Sequence, residues 1–504
     1  MIKVSREKKS RISPPEPFTR RSFKGYTKEK MCNLLDAGLL DSLIDCVDTE
    51  LVATVIIGHI SEAINKIAPM KRVQPRANYA PYLSRETKEK MSRRDELRWV
   101  AKASGKDEDY EIFKKEKNAT LKQQRKEKVQ WAQGLIGEDM EDSKRVWNVV
   151  ERICKSKRNN TIGKLVVNGI VTTKKNEIAK GLNEYFVQKV SSLLDKMPIP
   201  ASELLDELKQ QEPVNVPQME LNELSPHGLE LLLKKVSRTP ASGVDGISGI
   251  ILLDIIEVIR PSLLHLINLS LATGIYPSIF KLTKIIPVLK QGKDPSYPGS
   301  YRPVSNISTI GKLLERAAMD QVTAHLDRNK LTNKDQHGGR AGHSTSTCLG
   351  EVLEDARVAV EAKLRVAVFA IDLTAAYDLC HHGLLIQKSR LLNLGPVVNF
   401  ISSFLSKRSQ MVEIQGVGSP AVPTGDQGVV QGGPSSGKFF NIYIDKLPAV
   451  VNQGKLATTP AQSTHKQYVD DGSTVARGPQ RNSWWGTLVK TLGESEIICK
   501  DIEW

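Results

Sequence analysis

No stretch of this 504-residue chain is long and uncharged enough to read as a membrane span. The most apolar stretch, residues 247–271, carries Asp254, Glu257 and Arg260, and reads as an amphipathic or buried helix pair. The N-terminus, MIKVSREKKSR, is basic but leads into no apolar segment, so no signal peptide is expected. The six cysteines (Cys32, Cys46, Cys154, Cys348, Cys380 and Cys499) are scattered, with no C-x-x-C pair and no Cys/His quartet. That pattern argues against a structural zinc site and against a disulfide framework. Free thiols in a reducing compartment are the expectation, in nucleus or cytoplasm and without membrane attachment. Internal repeats and low-complexity tracts are absent too.

What is there is ordinary in bulk and lopsided in charge. Hydrophobic residues are 40% and charged residues 26%, as in globular proteins, and the length allows two to four domains. The net charge of +15 and pI near 9.3 favour a polyanionic partner. Ribosomal or membrane-surface binding would fit that charge equally well.

Along the chain, residues 1–83 read as a basic arm followed by helices. Val52, Val55, Ile56, Ile60, Ala63, Ile64 and Ile67 recur at helical spacing, and Pro69 and Pro75 follow. Residues 84–158 are helical and heavily charged, for example FKKEKNATLKQQRKEK. They suit a solvated helix with i, i+4 ion pairs, or a basic arm against a nucleic-acid backbone. Trp131 and Trp147 are candidate anchors of those helices. Around Asn168-Gly169, Lys164–Val167 and Ile170–Thr172 read as a β-hairpin with a type I′ turn. The run at 197–200, Met-Pro-Ile-Pro, marks a linker or surface segment. From about 216 the chain reads as one α+β region. It has a Ser225-capped helix from Pro226, an apolar strand Lys281–Lys290, and a helix over Leu313–Leu326.

The chemistry concentrates in three places. Tyr468-Val469-Asp470-Asp471-Gly472 reads as a strand entering a tight turn that holds both acids. On its own, Asp-Asp-Gly is ordinary turn chemistry. Upstream, Val366–Ile371 is a buried-type strand that delivers Asp372 at a sheet rim. If the two meet, three carboxylates can hold two Mg²⁺ ions about 3.5–4 Å apart and activate a 3′-hydroxyl. Lys290, Lys293 and Arg302 sit on a Gly/Pro-rich loop, suited to a triphosphate or simply to solvent. A third stretch, GDQGVVQGGP, lacks the P-loop spacing; its glycines allow close backbone approach.

Six stretches in this order resemble the reverse transcriptase of non-LTR (LINE-type) retrotransposons, nearest the insect Jockey-like group. They are TPASGVDGI, KIIPVLKQGKDPSYPGSYRPVSNISTIGKLLERAAMDQV, QHGGRAGHSTS, VAVFAIDLTAAYDLCHHGLL, GVVQGG with FFNIYIDKL, and QYVDDGSTVARG. The resemblance implies a right-hand polymerase's fingers and palm over 216–480, the palm an antiparallel sheet backed by helices. It implies a linker over 1–83 and 84–215 and a truncated tail at 481–504, with endonuclease and thumb outside the chain. It implies RNA-directed DNA polymerase activity with Mg²⁺ (or Mn²⁺), and RNA template, DNA primer and dNTPs as partners. By the same resemblance Asp372, Asp470 and Asp471 are the catalytic, metal-binding carboxylates. Tyr377 screens the sugar 2′ position, and Lys293 and Arg302 hold the triphosphate. Gln431 and Gly432 contact template and nascent pair, and Gln336, Arg340 and Ser344 lie in a template-side motif. The alternative is an inactive retroelement remnant that binds RNA. Two departures stand out. Val430 replaces the family's proline before Gln431, and the run TTPAQSTHKQ before Tyr468 is polar where a buried strand should be apolar.

Overall fold

The computed structural model describes residues 18–73, 82–137, 162–167, 169–196, 201–373, 375–448 and 462–478. The basic arm at 1–17, Trp147, Asn168, the run at 197–200, Pro460 and the tail at 481–504 lie outside the described residues. The chain divides into two units, residues 1–18 with 72–161, and residues 19–71 with 162–504. Among the described residues no helix is long and apolar enough to cross a membrane.

The first unit is a helical hairpin of Arg85–Ser104 and Asp107–Gly137. Ser84 caps the first helix by accepting from the Thr87 N–H at 3.1 Å. Glu127 of the second helix accepts from the Ser84 N–H and hydroxyl and from the Thr87 hydroxyl. Those donors hold its carboxyl down at about 2. Ion pairs such as Arg85–Glu89 and Lys90–Glu86 follow the i, i+4 spacing of a solvated face. Trp131, a candidate anchor, makes a ring contact with Tyr82 at 5.9 Å.

The second unit is α+β. The elements that frame the site are, in order, α1 (Thr49–Ile67), β1 (Leu165–Val167), β2 (Ile170–Thr172), α2 (Lys175–Leu194) and α3 (Gly249–Thr273), with the Ser225-capped helix Pro226–Lys234 just before α3. Then come β3 (Leu282–Leu289), β4 (Tyr301–Asn306), α4 (Thr309–Arg328), α5 (Thr345–Glu361) and β5 (Arg365–Asp372). Last are α6 (His382–Leu391), α7 (Val397–Leu405), β6 (Ser409–Ile414), α8 (Ser436–Tyr443), β7 (Gln462–Tyr468) and β8 (Asp471–Gly478). The apolar stripe of α1 (Val52, Ile56, Ile60, Ala63, Ile64) is buried and packs on α3. The stretch expected to be a helix pair is the single helix α3. Pro261 sits inside it, and both Pro261 and Glu257, whose carbonyl loses its helical donor, are exposed to water.

Two sheets matter for the site. In one, β3 and β4 form an antiparallel hairpin with Leu289 opposite Tyr301, while β6 runs parallel to β3. In the other the order is β7-β8-β5, antiparallel throughout, and α5 packs against all three strands. Two sequence expectations change here. β5 is not buried on both faces: Ala367 is covered but Val368 is 54% exposed, because among the described residues α5 is the helix that packs on β5 and the alternate side chains stay open to water. The described part of the polar run before Tyr468, residues 462–467, does form a strand, and several of its side chains find polar partners. His465 is fully buried with Nδ1 2.8 Å from the Thr474 hydroxyl, and burial pushes its imidazole down to about 4. Lys466 Nζ lies 2.8 Å from Asp335 and 2.7 Å from Glu351.

Candidate active site

The register of the three-stranded sheet decides which acids meet. Asp471 is the first residue of β8 and stands directly opposite both Tyr468 on β7 and Asp372 at the end of β5. The turn between β7 and β8 is therefore only Val469-Asp470. Of the two acids expected at the turn, Asp470 lies in it, while Asp471 flanks it as the first residue of the strand that also holds Gly472. Gly472 is needed for packing, because a Cβ there would lie 2.6 Å from His465 Cε1 and 3.4 Å from Ile371 Cβ.

Val469 has φ 59° and Asp470 has no positive φ, the pattern of a type II′ turn. That first position favours glycine. A β-branched residue there costs on the order of 1–3 kcal/mol, a strain the surroundings must hold.

Asp470 senses the other two carboxylates. Burial raises the Asp470 carboxyl, and the charges of Asp471 and Asp372 add to the rise against a hydrogen bond from its own backbone. Tyr377 lies beside them: burial, then the charge of Asp470, lifts its phenol to about 12. Its ring stacks on Phe440 at 5.1 Å and 23°. Among the described residues no three His, Cys, Asp or Glu side chains are gathered closely enough to hold a metal as they stand. The donor set is nonetheless all carboxylate oxygen, the chemistry of Mg²⁺ sites, and the like-charge repulsion at Asp470 is what a divalent cation would relieve.

The basic side of the site is larger than the sequence suggests. Lys290 Nζ donates to the Gly299 carbonyl at 2.9 Å. Burial lowers its amine first, and the charges of Lys189, Arg302 and Lys293 lower it further. Lys189 belongs to α2, a helix that sequence order assigns to a linker, and no local motif marks it. With Lys290, Asp378 and Gln431 it lines a cavity of about 120 Å³ that Lys293 and Arg302 do not line. Arg302 is exposed on β4, opposite Val288 of β3.

Gln431 is held from behind. Its Nε2 donates to Asp378 Oδ1 at 2.9 Å, and burial raises that carboxyl while Lys189 and the Gln431 bond lower it. Asp378 follows Tyr377 directly, yet sequence reasoning missed it. The glycines of this loop do allow close approach, but to the chain's own backbone. A Cβ on Gly432 (φ 104°) would sit 3.2 Å from the Ser305 carbonyl, and one on Gly428 (φ 82°) 3.1 Å from that of Asp378. The Ser305 N–H donates to the Gln431 carbonyl at 3.3 Å, tying the loop to β4.

Of the template-side residues, Arg340 staples a loop, its Nη1 donating to the carbonyls of Asn333, Lys334 and Gln336 at 3.1–3.3 Å. Ser344 is the N-cap of α5 in a capping box with Thr347. Gln336 reaches the acidic turn itself: its Oε1 accepts from the Val469 N–H at 2.9 Å.

Residues 288–496 match the family model described as reverse transcriptase (RNA-dependent DNA polymerase). The chain is 30% identical over 181 residues to the RNA-directed DNA polymerase from mobile element jockey of Drosophila melanogaster, covering 36% of this chain and 20% of that protein. It is 26% identical over 254 residues to the probable RNA-directed DNA polymerase from transposon BS of the same fly, covering 49% of this chain and 27% of that protein. It is 27% identical over 318 residues to the putative 115 kDa protein in type-1 retrotransposable element R1DM, covering 62% and 28%. The chain thus carries a reverse-transcriptase-like domain, homologous at low identity to several non-LTR retrotransposon proteins, and spans 20–28% of the length of these three relatives.

Proposed function

We propose that this chain is the fingers and palm of a Jockey-like non-LTR retrotransposon polymerase, spanning residues 216–480, and that it performs RNA-directed DNA synthesis. The observation that carries the reading is the register: Asp471 opposite Asp372, with Asp470 one residue away at the turn. On this reading the primer 3′-oxygen attacks the α-phosphorus of a dNTP, and pyrophosphate leaves.

Asp372, Asp470 and Asp471 would hold Mg²⁺, with Mn²⁺ as a substitute. Bound metal would lower the pKa of the 3′-hydroxyl and neutralise charge on the leaving pyrophosphate. Lys293 and Arg302, with Lys290 and Lys189 behind them, draw the triphosphate toward the carboxylates. Tyr377, rigid on Phe440, blocks the space a ribose 2′-hydroxyl would need. Gln431, oriented by Asp378, and Gly432 face the nascent pair. RNA template, DNA primer and dNTPs are the partners.

The test is extension of a DNA primer on an RNA template by the parent and by a variant carrying Asp470→Ala and Asp471→Ala. Synthesis should fall to background in the variant. Equal synthesis in both would sink the assignment.

A further inference from the structure

The acidic turn is strained at Val469, and the strain is met by a neighbouring segment that sequence reading could give no role. Asp335, Gln336 and His337 run alongside β7. The Gln467 N–H donates to the Asp335 carbonyl at 2.8 Å, and the His337 N–H donates to the Gln467 carbonyl at 2.7 Å. This is a parallel bridge pairing Gln336 with Gln467. From that position the Gln336 side chain, only 3% exposed, turns toward the hairpin. Its Oε1 accepts from the Val469 N–H at 2.9 Å and from the Gly338 N–H at 2.8 Å, and its Nε2 donates to the Val469 carbonyl at 3.4 Å. Gln467 Nε2 donates to the same carbonyl at 2.9 Å. Both backbone groups of the strained residue are thus engaged by side-chain amides.

Gly338 closes the other side. A Cβ there would lie 2.3 Å from Val469 Cγ2 and 2.4 Å from Val469 N, so the backbone touches the turn only because residue 338 is glycine. The Gly338 carbonyl accepts from Asn441 Nδ2 of α8 at 2.7 Å, which anchors the segment to the body of the unit.

We propose that Gln336 is the positioning residue of the acidic turn: with Gln467 and Gly338 it clamps Val469 in its left-handed conformation and so fixes where Asp470 and Asp471 point. The metal-holding part rests on the proposed function; the clamp itself does not. Without the clamp, Val469 relaxes to negative φ, the two-residue turn changes type, and Asp470 swings away from Asp372.

The test uses the full chain and four variants: Gln336→Ala, Gln336→Glu, Val469→Gly, and Gln336→Ala with Val469→Gly. Hydrogen exchange is followed in the peptide spanning 467–472, Mn²⁺ affinity by electron paramagnetic resonance, and primer extension by kcat and KM. Gln336→Ala should speed exchange at the turn tenfold or more. It should weaken Mn²⁺ binding about tenfold and lower kcat while leaving KM for the RNA template in place. Gln336→Glu keeps the acceptor for both N–H groups and should retain the protection. Glycine adopts positive φ freely, so Val469→Gly should restore most of the Mn²⁺ affinity and kcat to the Gln336→Ala chain, a rescue that general loss of structure cannot produce.

Unchanged exchange in Gln336→Ala overturns the clamp. Faster exchange with unchanged Mn²⁺ affinity overturns the positioning role, and failure of the glycine rescue overturns strain as its cause. A parent that binds no Mn²⁺ at the turn defeats the metal reading, and the exchange data then still decide the clamp.

Discussion

Glu315 lies under the glycine loop, fully buried on α4, and its replacement has a calculable cost. Its Oε2 accepts from the Ser435 hydroxyl at 2.6 Å and its Oε1 from the Tyr276 hydroxyl at 3.4 Å. Arg408, 4% exposed and stacked 4.6 Å from the Phe404 ring, supplies the nearby positive charge. Glu315→Ala leaves two buried hydroxyls without their acceptor, at about 1–3 kcal/mol each, and removes the carboxylate opposite a buried cation. Together these put the loss at about 3–5 kcal/mol, the range for removing one member of a buried polar pair. At roughly 2 °C per kcal/mol for a unit this large, the melting midpoint should fall by about 6–10 °C. Glu315→Gln keeps an acceptor oxygen for Ser435 and should cost less than about 1.5 kcal/mol.

The two variants also differ with pH. Burial raises the Glu315 carboxyl above its unfolded value, so its contribution is fully present below the unfolded pKa and is lost as pH rises through the folded one. Glutamine has no such loss, so the Gln variant should gain on the parent as pH rises. Circular dichroism is the assay, since the described tryptophans, Trp99 and Trp131, lie in the other unit. An Ala variant that loses under about 1 kcal/mol, or a Gln variant that falls as far as Ala, would refute the reasoning.

Three further expectations follow from particular contacts. Gly472→Ala should destabilise the chain by about 1–3 kcal/mol, read by thermal denaturation, because its Cβ meets the buried His465 ring at 2.6 Å; a neutral result would mean the ring is free to move. Burial pushes the Lys388 amine down to about 8, below its unfolded value, so stability should rise as pH climbs through about 8. Urea midpoints taken from pH 7 to 10 should show that rise in the parent and lose it in Lys388→Met. RNA binding driven by the +15 charge should weaken linearly in log affinity against log salt, and a flat filter-binding series would exclude backbone contacts as its source.

Much of this protein is legible in its residues because the signals are local. The apolar spacing of Val52 to Ile64, the Ser225 cap, and the strand of Lys281–Lys290 all rest on neighbours within a turn or two, and each appears in the fold. Local reading fails where satisfaction comes from afar. Gln462–Tyr468 looks too polar for a sheet until Asp335, Glu351 and Thr474 supply partners from other elements. Residues 247–271 read as a helix pair, yet they form one helix that carries Pro261 on a face that meets water.

The candidate site divides the same way. Composition and motif order alone identify which carboxylates, cations and glycines to examine, because residue type and spacing set their chemistry. Only the tertiary structure decides that Asp471 faces Asp372, since strand register is a long-range choice. Only it decides that Val469 carries the turn's strain, that Gln336, named only within a template-side motif, grips that turn, and that Lys189 and Asp378 stand behind the named residues. Those three act through hydrogen bonds and charges across large sequence separations, where no local pattern in the chain records the partner.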